Sequence, residues 1–290
     1  MADERSWTIL SVLNWTAERF TRQGMASPRL DAEVLLAHCL DVDRIKLYTD
    51  YDKPLGAPER AAFRQMVKRR LDSEPVAYIT GQKEFWSLPL FVDSQVLVPR
   101  PDTELLVEVV VSELKNEERR EAIVVDVGTG SGAVAIALAA EGQALTIVAT
   151  DVSQAALDCA RRNAERHLAT IDFHLGSLLE ALPADLTPDL VVANLPYIPS
   201  ADIADLMPDV GRFEPRSALD GGADGLSIIG QLIAQSFDRL PPDGFIALEI
   251  GAGQSDAVSA LLATQGFVGV SCHADLGGHL RVVSARAPRP

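Results

Sequence analysis

The sequence predicts an α/β protein: a doubly wound, mostly parallel β-sheet with an antiparallel C-terminal hairpin, preceded by a small helical domain. Three observations carry this expectation. From residue 122 onward, apolar β-branched runs alternate regularly with stretches of helical spacing, the pattern of βα units built around a parallel sheet. Before about residue 84 only helical periodicity is visible. Between the two lies a run of different texture, FWSLPLFVDSQVLVP (85–99). The division expected is therefore 1–84 helical, 85–99 a β-hairpin linker and 100–290 the α/β domain, which suits a chain of 290 residues.

In the helical part, Trp7, Leu10, Val12 and Leu13 recur at helical spacing, and so do Ala32, Val34, Leu35, Leu36 and Leu40. Ser27 before Pro28 marks a helix start, with Asp31 and Glu33 near its positive dipole end. A further helix over 58–71 has Ala61, Phe63, Val67 and Leu71 as its apolar positions. It also carries Arg60, Arg64, Lys68, Arg69 and Arg70, which read as a solvated face or as a docking patch for an acidic partner. Residues 85–99, β-branched and aromatic but broken by Pro89 and by Asp93 and Ser94, suggest a strand pair. Arg100 and Glu104 flank a proline turn that opens a helix capped by Asp102 or Thr103; their expected role is to hold the two domains together, with contact to a cofactor as the alternative. AIVVDVG (122–128) is apolar apart from its Asp, as a strand covered on both faces requires. Strands at 144–151, 170–176, 189–195 and 244–251 then alternate with helices at 132–140, 154–167, 227–240 and 255–264. The last two strands, 267–273 and 280–286, are close enough to form an antiparallel hairpin.

The net charge is −15, from 26 basic and 41 acidic residues, and residues 100–290 alone hold 13 basic and 27 acidic. Such a surface repels nucleic-acid backbones at long range, so no direct nucleic-acid partner is expected. No run approaches the ~20 apolar residues of a membrane helix. The start, MADERSWTIL, lacks both the basic and the apolar region of a signal peptide. No membrane association and a cytoplasmic location are the expectations. Cys39, Cys159 and Cys272 form no Cys-x-x-Cys and the five histidines are dispersed, so no metal is expected.

Three motifs carry chemistry. In VVDVGTGSG (124–132), Gly128, Gly130 and Gly132 sit on a strand-to-helix turn, where backbone can approach a ligand and the helix N-terminus offers N–H groups. The spacing G-x-G-x-G is one residue tighter than the dinucleotide fingerprint, although the small Ala133 follows; it favours a methyl-donor site. Asp151 ends the next strand, 19 residues after Gly132. It is placed to accept both ribose hydroxyls of an adenosine, or, with Ser153, to cap the helix from Gln154. ANLPY (193–197) ends the fourth strand of the alternating region, where open α/β sheets bind ligands. There the Asn194 side-chain oxygen and the Leu195 carbonyl can accept the two hydrogens of a planar amide or amino nitrogen and fix it opposite a donor methyl. Pro196 biases Leu195 to an extended conformation, and Tyr197 can stack on the planar group.

VPRPDTE (98–104), DVGTGSG (126–132), NLPYIP (194–199), RFEP (212–215) and ALDGGADGL (218–226) stand in this order behind the helical front and EFWSLPL (84–90). Jointly they resemble the release factor glutamine methyltransferase family (PrmC, also called HemK) over about residues 28–285. Asn-x-Pro-Tyr alone is shared with adenine-N6 methyltransferases; the set is specific. The resemblance implies a class I S-adenosylmethionine-dependent methyltransferase fold behind an N-terminal substrate-recognition domain. It implies methyl transfer to the side-chain amide nitrogen of the Gly-Gly-Gln glutamine of class I peptide chain release factors. The product would be S-adenosylhomocysteine, the enzyme a monomer, and no metal would take part. By position, Gly128, Thr129, Gly130, Ser131 and Gly132 would hold the methionine part, Asp151 the ribose, and Ser177 and Leu178 the adenine. Asn194, Leu195, Pro196 and Tyr197 would take the substrate glutamine, with Asn194 also beside the cofactor.

Three departures from the family pattern stand out. Leu195 replaces the first proline of Asn-Pro-Pro-Tyr, which keeps the carbonyl and loses some rigidity. Ser177 stands where an acidic residue is common near the adenine, whose amino group it can still bond more weakly. GGHLR (277–281) is less charged than the usual tail. In-line transfer needs positioning and desolvation rather than a base, so no histidine is nominated, and His167 and His174 read as surface or core residues. Glu214 either closes over substrate or pairs with Arg212 or Arg216, and Glu249 in LEIG ends a strand on the ligand side. The alternative readings are a glutamine methyltransferase for another protein, an adenine-N6 methyltransferase on nucleic acid, and a non-catalytic dinucleotide-binding protein.

Overall fold

A computed structural model describes residues 7–116, 121–141 and 144–289. They form two compact units. The smaller runs to Gly81 and includes Pro208–Phe213; the larger comprises Gln82–Met207 and the chain from Glu214.

The smaller unit contains α1 (Ile9–Arg22), α2 (Pro28–Leu40), α3 (Arg44–Thr49), α4 (Ala57–Leu71) and α5 (Val76–Thr80). Thr8 caps α1, its Oγ1 accepting from the Ser11 N–H, and Pro28 opens α2 in the first turn, where its missing N–H costs nothing. The helices bury Leu13, Phe20, Leu35, Leu36, Leu47 and Phe63 in one core. Glu33 is buried among them. Desolvation would push its carboxyl up, but hydrogen bonds from Tyr48 and Arg29, both 2.6 Å, and the charge of Arg44 hold it below the usual range. On α4, Arg69 pairs with Glu74 and Arg70 with Asp31, so part of the basic face is an ion-pair seam rather than free charge.

The larger unit opens with an antiparallel hairpin, β1 (Gln82–Phe85) and β2 (Leu88–Phe91). Its two-residue turn puts Trp86 and Ser87 at φ 52° and 57°, the left-handed twist that tight hairpins need. No Gly or Asn advertises this turn in the sequence; it is held by Trp86, whose N–H donates to Glu104 (2.8 Å) and whose Nε1 donates to Glu141 (2.9 Å). The hairpin thus occupies 82–91 within the larger unit rather than 85–99 as a linker. Arg100, in turn, pairs with Glu214 at 2.6 Å. The partners found for Arg100 and Glu104 therefore lie inside the larger unit, where the sequence suggested a bond between domains.

After the hairpin come α6 (Glu104–Asn116), β3 (Glu121–Val127), α7 (Ala133–Ala140), β4 (Ala144–Asp151), α8 (Gln154–Arg166), β5 (Ile171–Leu175) and β6 (Leu190–Ala193). The short α9 (Pro208–Gly211) falls in the smaller unit. Then follow α10 (Ser227–Arg239), β7 (Phe245–Glu249), α11 (Ser255–Gln265), β8 (Val268–Ala274) and β9 (Leu280–Arg286). The strands lie in the order β5-β4-β3-β6-β7-β9-β8, parallel except for β9, which runs antiparallel to both neighbours. This is the fold class the alternation predicted. LVVA and FIALE, the sequences of β6 and β7, are buried at every position, as central strands covered on both faces must be. The chain builds outward from β3 to β5 and then returns to place β6 on the other side of β3. That reversal opens a crevice at the carboxyl ends of β3 and β6. Among the described residues no helix is long and apolar enough to cross a membrane.

Candidate active site

The glycine turn that follows β3 closes one wall of this crevice. Gly128 adopts φ +73°, and a Cβ there would stand 2.9 Å from Leu195 Cδ2, so glycine is what lets that leucine close onto the turn. The Gly128 and Thr129 N–H groups both donate to the Thr150 carbonyl, at 2.8 and 2.9 Å, which ties the turn to β4. Beneath it, Asp126 Oδ2 accepts from Thr129 Oγ1 (2.7 Å) and from the Ala135 N–H (3.2 Å). Burial pushes this carboxyl up to about 6 against the pull of those two bonds, and the charge of Asp151 adds to the rise.

Asp151 ends β4. Its Oδ2 accepts from the Gly130 N–H and its Oδ1 from the Ser153 N–H, both at 2.9 Å. Burial raises its pKa, opposed by these backbone bonds. Each oxygen keeps a lone pair for a ligand. Helix capping falls to Ser153, whose Oγ accepts from the Ala156 N–H at the start of α8 (3.2 Å).

Asn194 follows β6, and its Nδ2 donates to Thr103 Oγ1 at 3.0 Å. Among the described residues no donor is hydrogen-bonded to its Oδ1. The parallel register pairs Ala193 with Leu248, so the next step along both strands sets Asn194 beside Glu249. Burial pushes Glu249 up to about 7; Thr103, Arg281 and Asn194 draw it back down, while Asp102 raises it. Its Oε2 is buried and has no hydrogen-bond partner.

The turn that carries Asn194 is backed from behind. Gln254 bridges the Gly251 N–H (2.8 Å) and the Tyr197 carbonyl (2.9 Å). Gly225 packs so closely that a Cβ would lie 2.2 Å from the Tyr197 oxygen. Ile198 N–H donates to Leu219 O and Gly221 N–H to Ile198 O, so the ALDGG segment laces to the strand-like continuation of NLPY.

Together these elements enclose a cavity of about 230 Å³ lined by Gly128, Thr129, Gly130, Ser131, Asp151, Ser177, Leu178, Asn194, Leu195 and Pro196. Two residues expected at the site stand outside its lining. Gly132 heads α7 and is packed on Ala160, whose Cβ is 3.2 Å from where its own would be. Tyr197 is pinned through its carbonyl by Gln254, and its ring packs against Gly251, 3.0 Å from that glycine's would-be Cβ. Arg100 lines the cavity, which fits the cofactor-contact alternative, and the sequence reading assigned no place there to Gln95, Val96, Leu97, Thr103, Pro215, Ser217, Ala218, or Ile228 and Gln231 on α10, which complete the wall. Of these, Thr103 lies in VPRPDTE, Pro215 in RFEP and Ala218 in ALDGGADGL, all singled out as motifs. Glu214, buried, is paired with Arg100 at 2.6 Å. His167 bonds the Pro89 carbonyl (3.0 Å) and His174 bonds Asp172 (2.8 Å); neither lines the cavity. Among the described residues no group of three His, Cys, Asp or Glu side chains is arranged to hold a metal ion.

The cavity suits a nucleoside-bearing cofactor. Nothing in the protein lies within 4 Å of where a Cβ on Gly130 would stand, so a ligand can approach the turn's backbone there. Asp151 offers a carboxylate with spare acceptor capacity in the same wall.

The family model of the PrmC N-terminal domain matches residues 11–81, and one described as a methyltransferase domain matches residues 124–213. The chain is 41% identical over 280 residues to the release factor glutamine methyltransferase of Geobacter sulfurreducens, covering 97% of each chain. The protein of that name from Rhodopirellula baltica is 39% identical over 289 residues, 98% of this chain and 97% of its own. Among solved structures, the T. thermophilus 16S rRNA N2 G1207 methyltransferase in complex with AdoMet and guanosine aligns with a TM-score of 0.52 at 19% identity. That alignment covers 71% of this chain and 49% of the other, a likeness of fold.

Proposed function

The chain belongs to the release factor glutamine methyltransferase family, and we propose that it methylates the side-chain amide nitrogen of the Gly-Gly-Gln glutamine in class I peptide chain release factors. The methyl donor in this reading is S-adenosylmethionine, which supplies when bound a carbon already activated by its sulfonium. The observation that most supports the reading is Asn194: with Nδ2 committed to Thr103, its Oδ1 is the end left for an incoming amide.

The residues then divide the work. Asp151 accepts from ribose hydroxyls while holding the Gly130 N–H, so one carboxylate orders both the turn and the cofactor. Ser177 and Leu178 border the adenine, and Leu195, closed over Gly128, excludes water from the space between. Asn194 Oδ1 and the Leu195 carbonyl each accept one hydrogen of the glutamine NH₂, turning the nitrogen toward the methyl group. Fixing two reactants in this way can contribute on the order of 7–11 kcal/mol to the barrier reduction. No protein base is needed, because an alkylated amide nitrogen that still carries its extra proton is strongly acidic and yields it to water. Gly132 and Tyr197 serve from behind, by shaping the two turns. Together with its substrate, the protein works in the cytoplasm.

Mass spectrometry of a purified release factor incubated with the protein and S-adenosylmethionine tests this. One added methyl on the glutamine of Gly-Gly-Gln is expected. An unmodified factor, or a methyl on another residue, would overturn the proposal.

A further inference from the structure

Resting on that reading, we propose that Glu249 and Thr103 are positioning residues that hold the Asn194 carboxamide with its oxygen toward the acceptor nitrogen. A carboxamide has two ends of nearly equal size, so packing alone cannot choose between them; only its hydrogen-bond partners can. The choice matters here, because the flipped amide would set one NH₂ against another and hold nothing.

Thr103 alone does not make the choice. Its hydroxyl sits 3.0 Å from the Asn194 nitrogen, but a hydroxyl can donate as readily as it accepts. An ionised carboxylate has no such freedom, since it only accepts. In this arrangement the Thr103 hydroxyl donates a hydrogen bond to the Glu249 carboxylate and keeps a lone pair for Asn194 Nδ2, so the direction of the whole relay is set from the carboxylate end. The strand register supports this, since Asn194 and Glu249 follow a paired position on adjacent parallel strands and so project to the same face. A carboxyl 2% exposed, with one oxygen unpartnered, is also an unfavourable choice for mere packing at the end of an apolar strand.

The charged and titratable neighbours of Glu249 are Asp102, Arg281 and Tyr197. Arg281 is shared with Asp102 and Asp275, each at 3.2 Å, and so does not neutralise Glu249 by itself. With the carboxyl raised to about 7, protonation in the neutral range returns a donor to the relay and removes its directionality.

The test uses the full chain. Thr103→Val should lower kcat on a release factor by on the order of ten- to a hundredfold, the worth of one hydrogen bond to a charged group, with KM for the factor and the affinity for S-adenosylmethionine essentially unchanged. Thr103→Ser should recover most of that loss. Glu249→Gln should lower kcat and flatten its rise through neutral pH. A second readout needs no substrate. The chain has four asparagines, so selective ¹⁵N labelling resolves the Asn194 side-chain amide, identified by its absence in Asn194→Ala. Its signal should titrate near pH 7 in the wild type and stay still in Glu249→Gln. Unaltered kcat and pH profile in both variants, or an amide signal indifferent to Glu249, would overturn the inference. A wild-type protein that leaves release factors unmodified would overturn only the substrate reading, because the amide titration stands apart from it.

Discussion

Replacing Asp126 by asparagine should remove a pH-dependent burden on the fold, and its size can be worked out. Asp126 is 2% exposed beneath the glycine turn, and burial lifts its pKa from 3.8 to about 6. The folded protein therefore binds this proton more tightly than the unfolded chain does. Stability falls as pH rises from about 4 to about 6, and the full penalty is present above that range. Roughly two pKa units at about 1.36 kcal/mol each amount to about 3 kcal/mol. Asparagine keeps an acceptor for Thr129 and Ala135 but carries no charge, so it lacks this slope. Its buried NH₂ has a cost of its own, which does not vary with pH and so leaves the comparison untouched. The assay is thermal unfolding of both proteins between pH 4 and 8. At about 2–4 °C per kcal/mol for a unit of this size, the Tm difference should move in the variant's favour by on the order of 6–12 °C across that range. Asp151 and Glu249 are also raised by burial, so the wild-type curve alone is a sum; the difference reports Asp126 together with its coupling to Asp151. Parallel curves would refute the reasoning.

Three further outcomes follow from the site. Asn194→Ala should abolish methyl transfer while calorimetry finds S-adenosylmethionine bound nearly as before, since the residue acts on the acceptor. Asp151→Ala should weaken cofactor binding by about 1.5–3 kcal/mol, the worth of a charged hydrogen bond, and should also lower Tm because Gly130 and Ser153 each lose an acceptor. Gly128→Ala should destabilise the protein by roughly 1–2 kcal/mol for its left-handed backbone alone, with a further penalty from Leu195. Adding Leu195→Ala should recover only the second part, which unfolding of the single and double variants will separate.

Periodicity was enough to find most of the larger unit. Strands such as 144–151 and 280–286 stand in the structure where their β-branched runs put them, because a buried central strand can be little else. The hairpin turn at Trp86 and Ser87 was not legible: its left-handed residues are held by Glu104 and Glu141, 18 and 55 residues away from Trp86. The candidate site shows the same division. Asp151, Asn194 and the turn at 128–131 were readable because strand ends and glycine spacing are local properties. The place of Thr103 beside Asn194 and the pairing of Glu214 with Arg100 were not, since each depends on segments about 90 or more residues apart meeting in space. The support behind Tyr197 was equally hidden: its place in a motif says nothing about Gly251 and Gln254, which pack and bond against it.

Pro208–Phe213 are counted with the helices at the front of the chain, although 126 residues of the other unit separate the two pieces. During synthesis, then, the first 81 residues emerge without their last part. Arg70, which in the finished protein meets both Asp31 and Asp209, has only the first of these until the ribosome has passed residue 209. The helical unit thus takes one of its ion-pair partners from a segment synthesised long after its own helices.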